Sequence, residues 1–296
     1  MRIVRINHSR ADGDMLLQQG FSTDSLDGAD AMNEMLKETW SSAGPYEQYG
    51  GRWSRKVARE FLKWISVPPR ATWADVGCGT GILVECILST CDPESVAGID
   101  RSEGYLSEAR RNITDPRSCF EAADAAMLPW GSSTFDATVS GLVLNFVPDH
   151  HGMVSEMARV TKPGGKVAAY VWDYARGMEM MRHFWDVAIM VSPHDAALDQ
   201  AERFPICQPG PLEALFRGIG LTSVSVRAID VATVFRDFED YWNPFLGKQG
   251  AAPTYLASVD DETRERIRGL LKSRLVPAAD GTIALTARAW AIQGIV

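Results

Sequence analysis

The segment Trp73-Ala74-Asp75-Val76-Gly77-Cys78-Gly79-Thr80-Gly81 carries the strongest chemical signal in the sequence. An apolar run bearing a carboxylate near its end leads into three glycines at alternate positions, and an apolar helical stretch follows. Glycines at such a turn let the backbone approach a ligand closely. Asp100 closes the next apolar run, 100 − 81 = 19 residues beyond the last glycine. At that distance folds of this kind hold a ribose, whose two hydroxyls can both donate to one carboxylate. A dinucleotide turn has its third glycine one residue later, where Ile82 stands, and holds pyrophosphate on a helix N-terminus. The third glycine at 81 therefore favours a ligand without phosphates.

Five side chains could move a proton near this turn: His150 and His151, Asp173 and Tyr174, and His183. They follow the fourth and fifth apolar runs, but the histidines also sit where surface or packed helix positions are common. The sequence assigns none of them a catalytic role.

The elements that must position these groups follow from periodicity. Trp53, Val57, Phe61, Trp64 and Ile65 recur with helical spacing, and Pro68 and Pro69 end that helix. Strands are expected at 72–76, 95–100, 119–122, 135–144 and 165–172, alternating with helices at 81–90, 102–112 and 149–160. Ser102 is suited to cap the second of these. The alternation describes a mostly parallel sheet covered by helices. Beyond it come helices at 177–191 and 211–219 and strands at 222–229 and 282–292. The last two strands are separated by about fifty residues, too many for a plain hairpin loop, which reads as an inserted lid.

The chain has 296 residues, of which 46% are hydrophobic, enough for one large core. No apolar run approaches the roughly 20 residues of a membrane helix, and no signal-peptide pattern follows the N-terminus, so a soluble cytoplasmic protein is expected. The polar residues 1–31 read as a disordered tail. Five cysteines without a Cys-x-x-Cys pair argue against a disulfide framework or zinc site, and no metal is expected. A formal charge of −8 disfavours nucleic acid as partner and moves a small-molecule acceptor forward.

Four further segments occur in order: Gly98-Ile99-Asp100, Ala123-Asp124-Ala125, Phe135-Asp136-Ala137 and Lys162-Pro163-Gly164-Gly165. With the glycine turn they resemble the class I S-adenosylmethionine-dependent methyltransferases, within them the type 11, quinone-biosynthesis methyltransferase-like group. The resemblance covers residues 45–173 well and the remainder in outline. It implies an α/β Rossmann-like sheet of seven strands, mostly parallel with an antiparallel last strand, and helical lid insertions. The implied layout is a methyltransferase domain over 32–296, with a cofactor-binding core at 45–173 and insertions at about 174–209 and 235–277.

The implied activity is methyl transfer from S-adenosylmethionine to an unidentified acceptor. Gly77 and Gly79 would line the methionine part, Asp100 would hold the ribose, Asp124 with the Ala125 amide would read the adenine edge, and Leu142, late in the fourth strand, would face the reacting methyl. Residues 46–55 resemble a helix that closes over the cofactor, with Arg52 suited to the methionine carboxylate and Arg55 its rival. Asp75, Cys78 and Arg101 complete the implied cofactor-binding set.

Trp172, Trp185, Tyr241 and Trp242 could line a pocket for an apolar or planar acceptor, or could be the core of the insertions. Asn243-Pro244-Phe245 is similar to an amine-orienting motif of nucleic-acid methyltransferases but stands far from the fourth strand, where that motif belongs. Two other readings stay open: a nicotinamide-dependent oxidoreductase, and a non-catalytic S-adenosylmethionine-binding protein.

Overall fold

The computed structural model describes residues 51–247 and 250–296, apart from the Arg52 side chain. The expected tail at 1–31 and the first part of the expected closing helix, 46–50, lie outside the described residues.

The chain runs α1 (Arg52–Ile65), β1 (Thr72–Val76), α2 (Ile82–Thr90), β2 (Ser95–Asp100), α3 (Glu103–Asn112), β3 (Ser118–Ala122), β4 (Phe135–Gly141), α4 (His150–Val160) and β5 (Thr161–Trp172). There follow α5 (Glu179–Val191), α6 (Gln200–Arg203), α7 (Pro209–Gly218), β6 (Thr222–Phe235), α8 (Phe238–Trp242), α9 (Ala251–Ser258), α10 (Asp261–Arg274) and β7 (Ile283–Ile295).

The seven strands form one sheet in the order β3-β2-β1-β4-β5-β7-β6. The pairs β3–β2, β2–β1, β1–β4 and β4–β5 are parallel, and β7 runs antiparallel to both β5 and β6. From β1 the chain winds outward through β2 to β3, then returns to β4 on the other side of β1. A crevice therefore opens beyond the carboxyl ends of β1 and β4, where α/β sheets bind ligands.

Local chemistry sets the element ends. In α1 the buried stripe is Trp53, Val57, Ala58, Phe61, Leu62 and Ile65, and full burial of a side chain such as Phe61 contributes about 1.5–3 kcal/mol. The helix stops before the prolines, at Ser66 in the left-handed region, whose N–H donates to the Leu62 carbonyl. Ser102 caps α3 by accepting from the Tyr105 amide, and Asp149 caps α4 by accepting from Gly152. Asp136 ties the base of the sheet: it accepts from the Thr72 amide at 2.8 Å and hydroxyl at 2.7 Å, and from Lys162 Nζ at 2.8 Å. Burial opposes its ionisation, but Lys162 and Thr72 outweigh it and hold the pKa at about 2.

Four strands differ by more than one residue from their expected spans. β4 ends at Gly141 rather than 144, because Leu142 enters the left-handed region with φ of 63° and 144–146 form a 3-10 turn. Buried turn residues are as apolar as strand residues, so composition hides the boundary. β5 begins at Thr161, with Lys162-Pro163-Gly164-Gly165 bulging where its register against β4 shifts. β6 and β7 outrun expectation because they pair with each other from Thr222↔Ile295 to Phe235↔Ile283.

Candidate active site

The glycine turn bonds to its own neighbourhood. The Gly77 and Cys78 amides both donate to the Ile99 carbonyl, at 2.8 and 2.7 Å, and the Gly81 amide donates to the Cys78 carbonyl at 2.9 Å. The Gly79 amide donates to Asp100 Oδ2 at 3.0 Å, while Asp100 Oδ1 accepts from the Ser102 amide at 2.8 Å. Gly77, Gly79 and Gly81 all have positive φ, and a Cβ on Gly77 would lie 2.5 Å from Val143 Cγ1. The turn thus needs glycine at 77 both for its conformation and for the close approach of Val143.

A cavity of about 670 Å³ opens over this turn. Its wall takes residues from just beyond the carboxyl ends of the five parallel-running strands: the glycine turn after β1, Arg101 and Ser102 after β2, Ala123 to Ala126 after β3, Leu142, Val143 and Phe146 to Asp149 after β4, and Tyr174 after β5. Its volume falls within the range of about 300–1,000 Å³ common to small-molecule sites.

The wall near the turn is acidic. Asp75 is 1% exposed, and neither of its carboxylate oxygens has a hydrogen-bond partner among the described residues. Burial, reinforced by the nearby Asp100 carboxylate, pushes its pKa up to about 8. Burial and then the same two carboxylates push the Cys78 thiol well above its ordinary value, so it is a packed thiol rather than a nucleophile. A buried carboxyl without a partner is costly unless a donor or cation reaches it.

Residues 74–169 match the methyltransferase domain family. That segment is a class I methyltransferase domain. Among curated proteins the chain is similar to a demethylmenaquinone methyltransferase of Halalkalibacterium halodurans, 36% identical over 113 residues, 37% of this chain and 46% of that protein. It is also similar to a trans-aconitate 2-methyltransferase of Variovorax paradoxus, 30% identical over 128 residues, 43% of this chain and 48% of that protein. The chain thus spans about half the length of these relatives. Among solved structures, a phosphoethanolamine N-methyltransferase 2 of Haemonchus contortus in complex with S-adenosyl-L-methionine shares the fold, with a TM-score of 0.56 and 16% identity over 88% of this chain and 59% of that one. The YcgJ protein of Bacillus subtilis does so with a TM-score of 0.52 and 17% identity over 81% and 97%.

The methyltransferase domain gathers Asp75, Gly77, Cys78, Gly79, Asp100, Arg101, Asp124, Ala125 and Leu142 around the one cavity. Asp124 is pinned locally, Oδ1 accepting from the Ala126 amide at 2.9 Å. Leu142 stands beyond β4 rather than late within it, its amide donating to the Tyr170 carbonyl at 2.8 Å. The Arg52 side chain lies outside the described residues. Its rival Arg55 does not line the cavity, and its guanidinium pairs with Glu85 at 3.1 Å.

Of the five proton-moving candidates, only Tyr174 lines the cavity. Asp173 accepts from the Arg176 amide within the turn after β5, His151 meets Ser155, and His183 Nδ1 accepts from Arg274 Nε at 3.0 Å. Trp172 reaches the wall. Trp185, Tyr241 and Trp242 are instead buried in a cluster with Phe184, Phe245 and Tyr255, in which Phe184 stacks on Phe245 at 4.7 Å. Phe245 of the Asn243-Pro244-Phe245 tripeptide is therefore a buried core residue.

Wall residues not singled out from the sequence include Ser54, Tyr105, Val143, Phe146, Tyr170 and Gln200. Val143 and Phe146 were open to inference, since they follow a central strand end. Tyr170 and Gln200 carried no local signal.

Proposed function

We propose that this chain transfers a methyl group from S-adenosylmethionine to a small-molecule acceptor. The observation that carries the reading is Asp75, a buried carboxyl that has no hydrogen-bond partner among the described residues, in the wall of the cavity beside the glycine turn. It suits the cationic methionine end of that cofactor. Asp100, fixed by the Gly79 and Ser102 amides, presents its remaining lone pairs to the ribose hydroxyls. Asp124 and Ala125 would read the adenine edge, Gly77, Cys78 and Gly79 the methionine chain, and Leu142 the region of the methyl group.

The same geometry speaks against a dinucleotide. The amides of Gly77, Cys78, Gly79 and Gly81 are already used within the chain, and the carboxylates of Asp100, Asp124 and Asp149 share the wall with a single basic residue among the described residues, Arg101. A pyrophosphate would meet like charge and few free donors.

S-adenosylmethionine supplies an electrophilic methyl group. The chain has to hold the acceptor in line behind it and keep water away. We assign the segment 174–209 to cover the acceptor, because it contributes Tyr174, Met181 and Gln200 to the wall. The segment 235–277 contributes no described residue to that wall and braces the first through the aromatic cluster. Phe146, Tyr170, Trp172 and Tyr174 suit an apolar or planar acceptor. The relatives' names, with acceptors as different as a demethylmenaquinone and trans-aconitate, leave its identity open.

Calorimetric titration with S-adenosylmethionine, S-adenosylhomocysteine and NADH tests the cofactor. Binding of the first two at about micromolar affinity and none of NADH is expected. The reverse pattern overturns the reading in favour of an oxidoreductase. Binding without methyl transfer to any member of a broad acceptor panel would leave a non-catalytic binder.

A further inference from the structure

Gln200 is 2% exposed and opens the four-residue helix α6, yet it lines the cavity. Its Oε1 accepts from Trp185 Nε1 at 3.4 Å. An indole N–H can only donate, so the amide oxygen must face Trp185 and the amide NH2 must point the other way. Among the described residues that Nε2 has no hydrogen-bond partner; the side chain's one hydrogen bond is the Trp185 bond, while the backbone carbonyl accepts from the Phe204 amide at 3.0 Å. A neutral donor is therefore held in the cavity wall with nothing among the described residues to receive it.

The mounting is rigid. Asp199 caps α6, Oδ1 accepting from the Ala201 amide at 2.9 Å, and its Oδ2 accepts from Arg182 Nη2 at 2.7 Å. Arg182 Nε donates in turn to Asp186 Oδ1 at 2.7 Å, and Asp186 Oδ2 accepts from Arg274 Nη2 at 2.6 Å. Trp185, which fixes the amide, is itself packed against Tyr255 with ring centroids 5.4 Å apart. A donor braced on three sides loses little freedom when it binds, which is what an orienting group requires.

We propose that Gln200 orients the methyl acceptor: its Nε2 donates to an oxygen of a planar, mainly apolar molecule bearing a carbonyl or phenolic oxygen. The class follows from the surroundings, because Tyr174, Trp172, Met181 and Phe146 supply apolar and aromatic wall and the amide supplies one directed donor. Such a site rejects an isostere lacking the oxygen, since the donor would then be buried without a partner. The proposal rests on the methyltransferase reading of the same cavity.

The test uses the full chain saturated with S-adenosylhomocysteine and two probes of one shape, 2-acetylnaphthalene and 2-isopropenylnaphthalene, which differ by an oxygen in place of a methylene. Wild type is expected to bind the ketone about tenfold more tightly than the hydrocarbon. In Gln200→Met the ratio falls to one or reverses, the ketone being the better hydrated probe. Gln200→Glu at pH 8 keeps an acceptor for Trp185 but removes the donor, and it loses the ratio in the same way. S-adenosylhomocysteine affinity within about threefold of wild type shows that each variant is folded. If that ligand does not bind wild type, the cofactor reading fails. If it binds while the probe ratio is the same in wild type and variants, the role of Gln200 fails alone. If it binds and neither probe does, the planar, apolar acceptor class is rejected and the proposal with it.

Discussion

The wall at residues 75–102 and the wall at 172–200 are held by different forces. In the first, hydrogen bonds join β1, β2 and the turns that follow them: Gly77 and Cys78 to Ile99, Gly79 and Ser102 to Asp100. In the second, position depends on rings and ions far apart in sequence, with Phe184 on Phe245, Trp185 on Tyr255 and Arg274 on Asp186. A hydrogen-bonded turn tolerates little chemical change because each donor has one partner. An aromatic cluster is set by volume and can hold many side chains in its gaps. The difference teaches which wall can change its ligand without losing the fold. It also accounts for a family match that covers 74–169 and stops before the second wall.

Three substitutions probe the contrast. Asp100→Ala removes a carboxylate that fixes two amides and faces the ribose position, and S-adenosylmethionine affinity is expected to fall by about 3 kcal/mol or more, at least a hundredfold, in a folded variant. Unchanged affinity by calorimetry would remove the ribose assignment. Phe184→Ala, at a fully buried ring in the other wall, is expected to lower unfolding stability by about 3–5 kcal/mol in urea titrations. The folded fraction should keep its cofactor affinity within about threefold, and a parallel loss of affinity would show that the two walls are not independent.

Asp75→Asn changes stability least for each single pH step and gives the sharpest sign. The folded pKa of about 8 lies above the ordinary 3.8, so the Asp75 contribution to ligand-free stability is fully present below about 3.8 and is lost as pH rises toward 8. The stability difference, wild type minus variant, should therefore fall by roughly 1.4 kcal/mol per pH unit across that window and level off above it. Taking the difference cancels Asp136 and the histidines. Binding of S-adenosylmethionine at pH 7 should release a proton from Asp75 in wild type and not in the variant, read from calorimetry in buffers of different ionisation enthalpy. Equal proton release in both would detach Asp75 from the cofactor.

Much of this was legible from residues alone. β1 and β2 fall where alternating apolar runs place them, and Ser102 caps α3 as its residue type suggests. Asp124 and Leu142, which the family resemblance implied, share one cavity with Asp75, Gly77, Gly79 and Asp100, which the glycine turn and its spacing singled out. Each depends on a local rule: a strand end, a glycine required at positive φ, or a carboxylate within reach of the next turn's amides. The end of β4 escaped because Leu142 adopts a left-handed conformation that its side chain does not advertise.

The sequence by itself determined the order of strands and helices, the glycine turn and the carboxylates around it, because those depend on interactions among near neighbours. Only the tertiary structure decided that His183 is held by Arg274 away from the cavity, that Trp185, Tyr241 and Trp242 are core while Trp172 is wall, and that Gln200 joins the wall of the same cavity as Gly77. Whether a ring or an amide faces a core or a cavity depends on partners that the chain brings together from distant positions, and no periodicity along the chain encodes which partners those are.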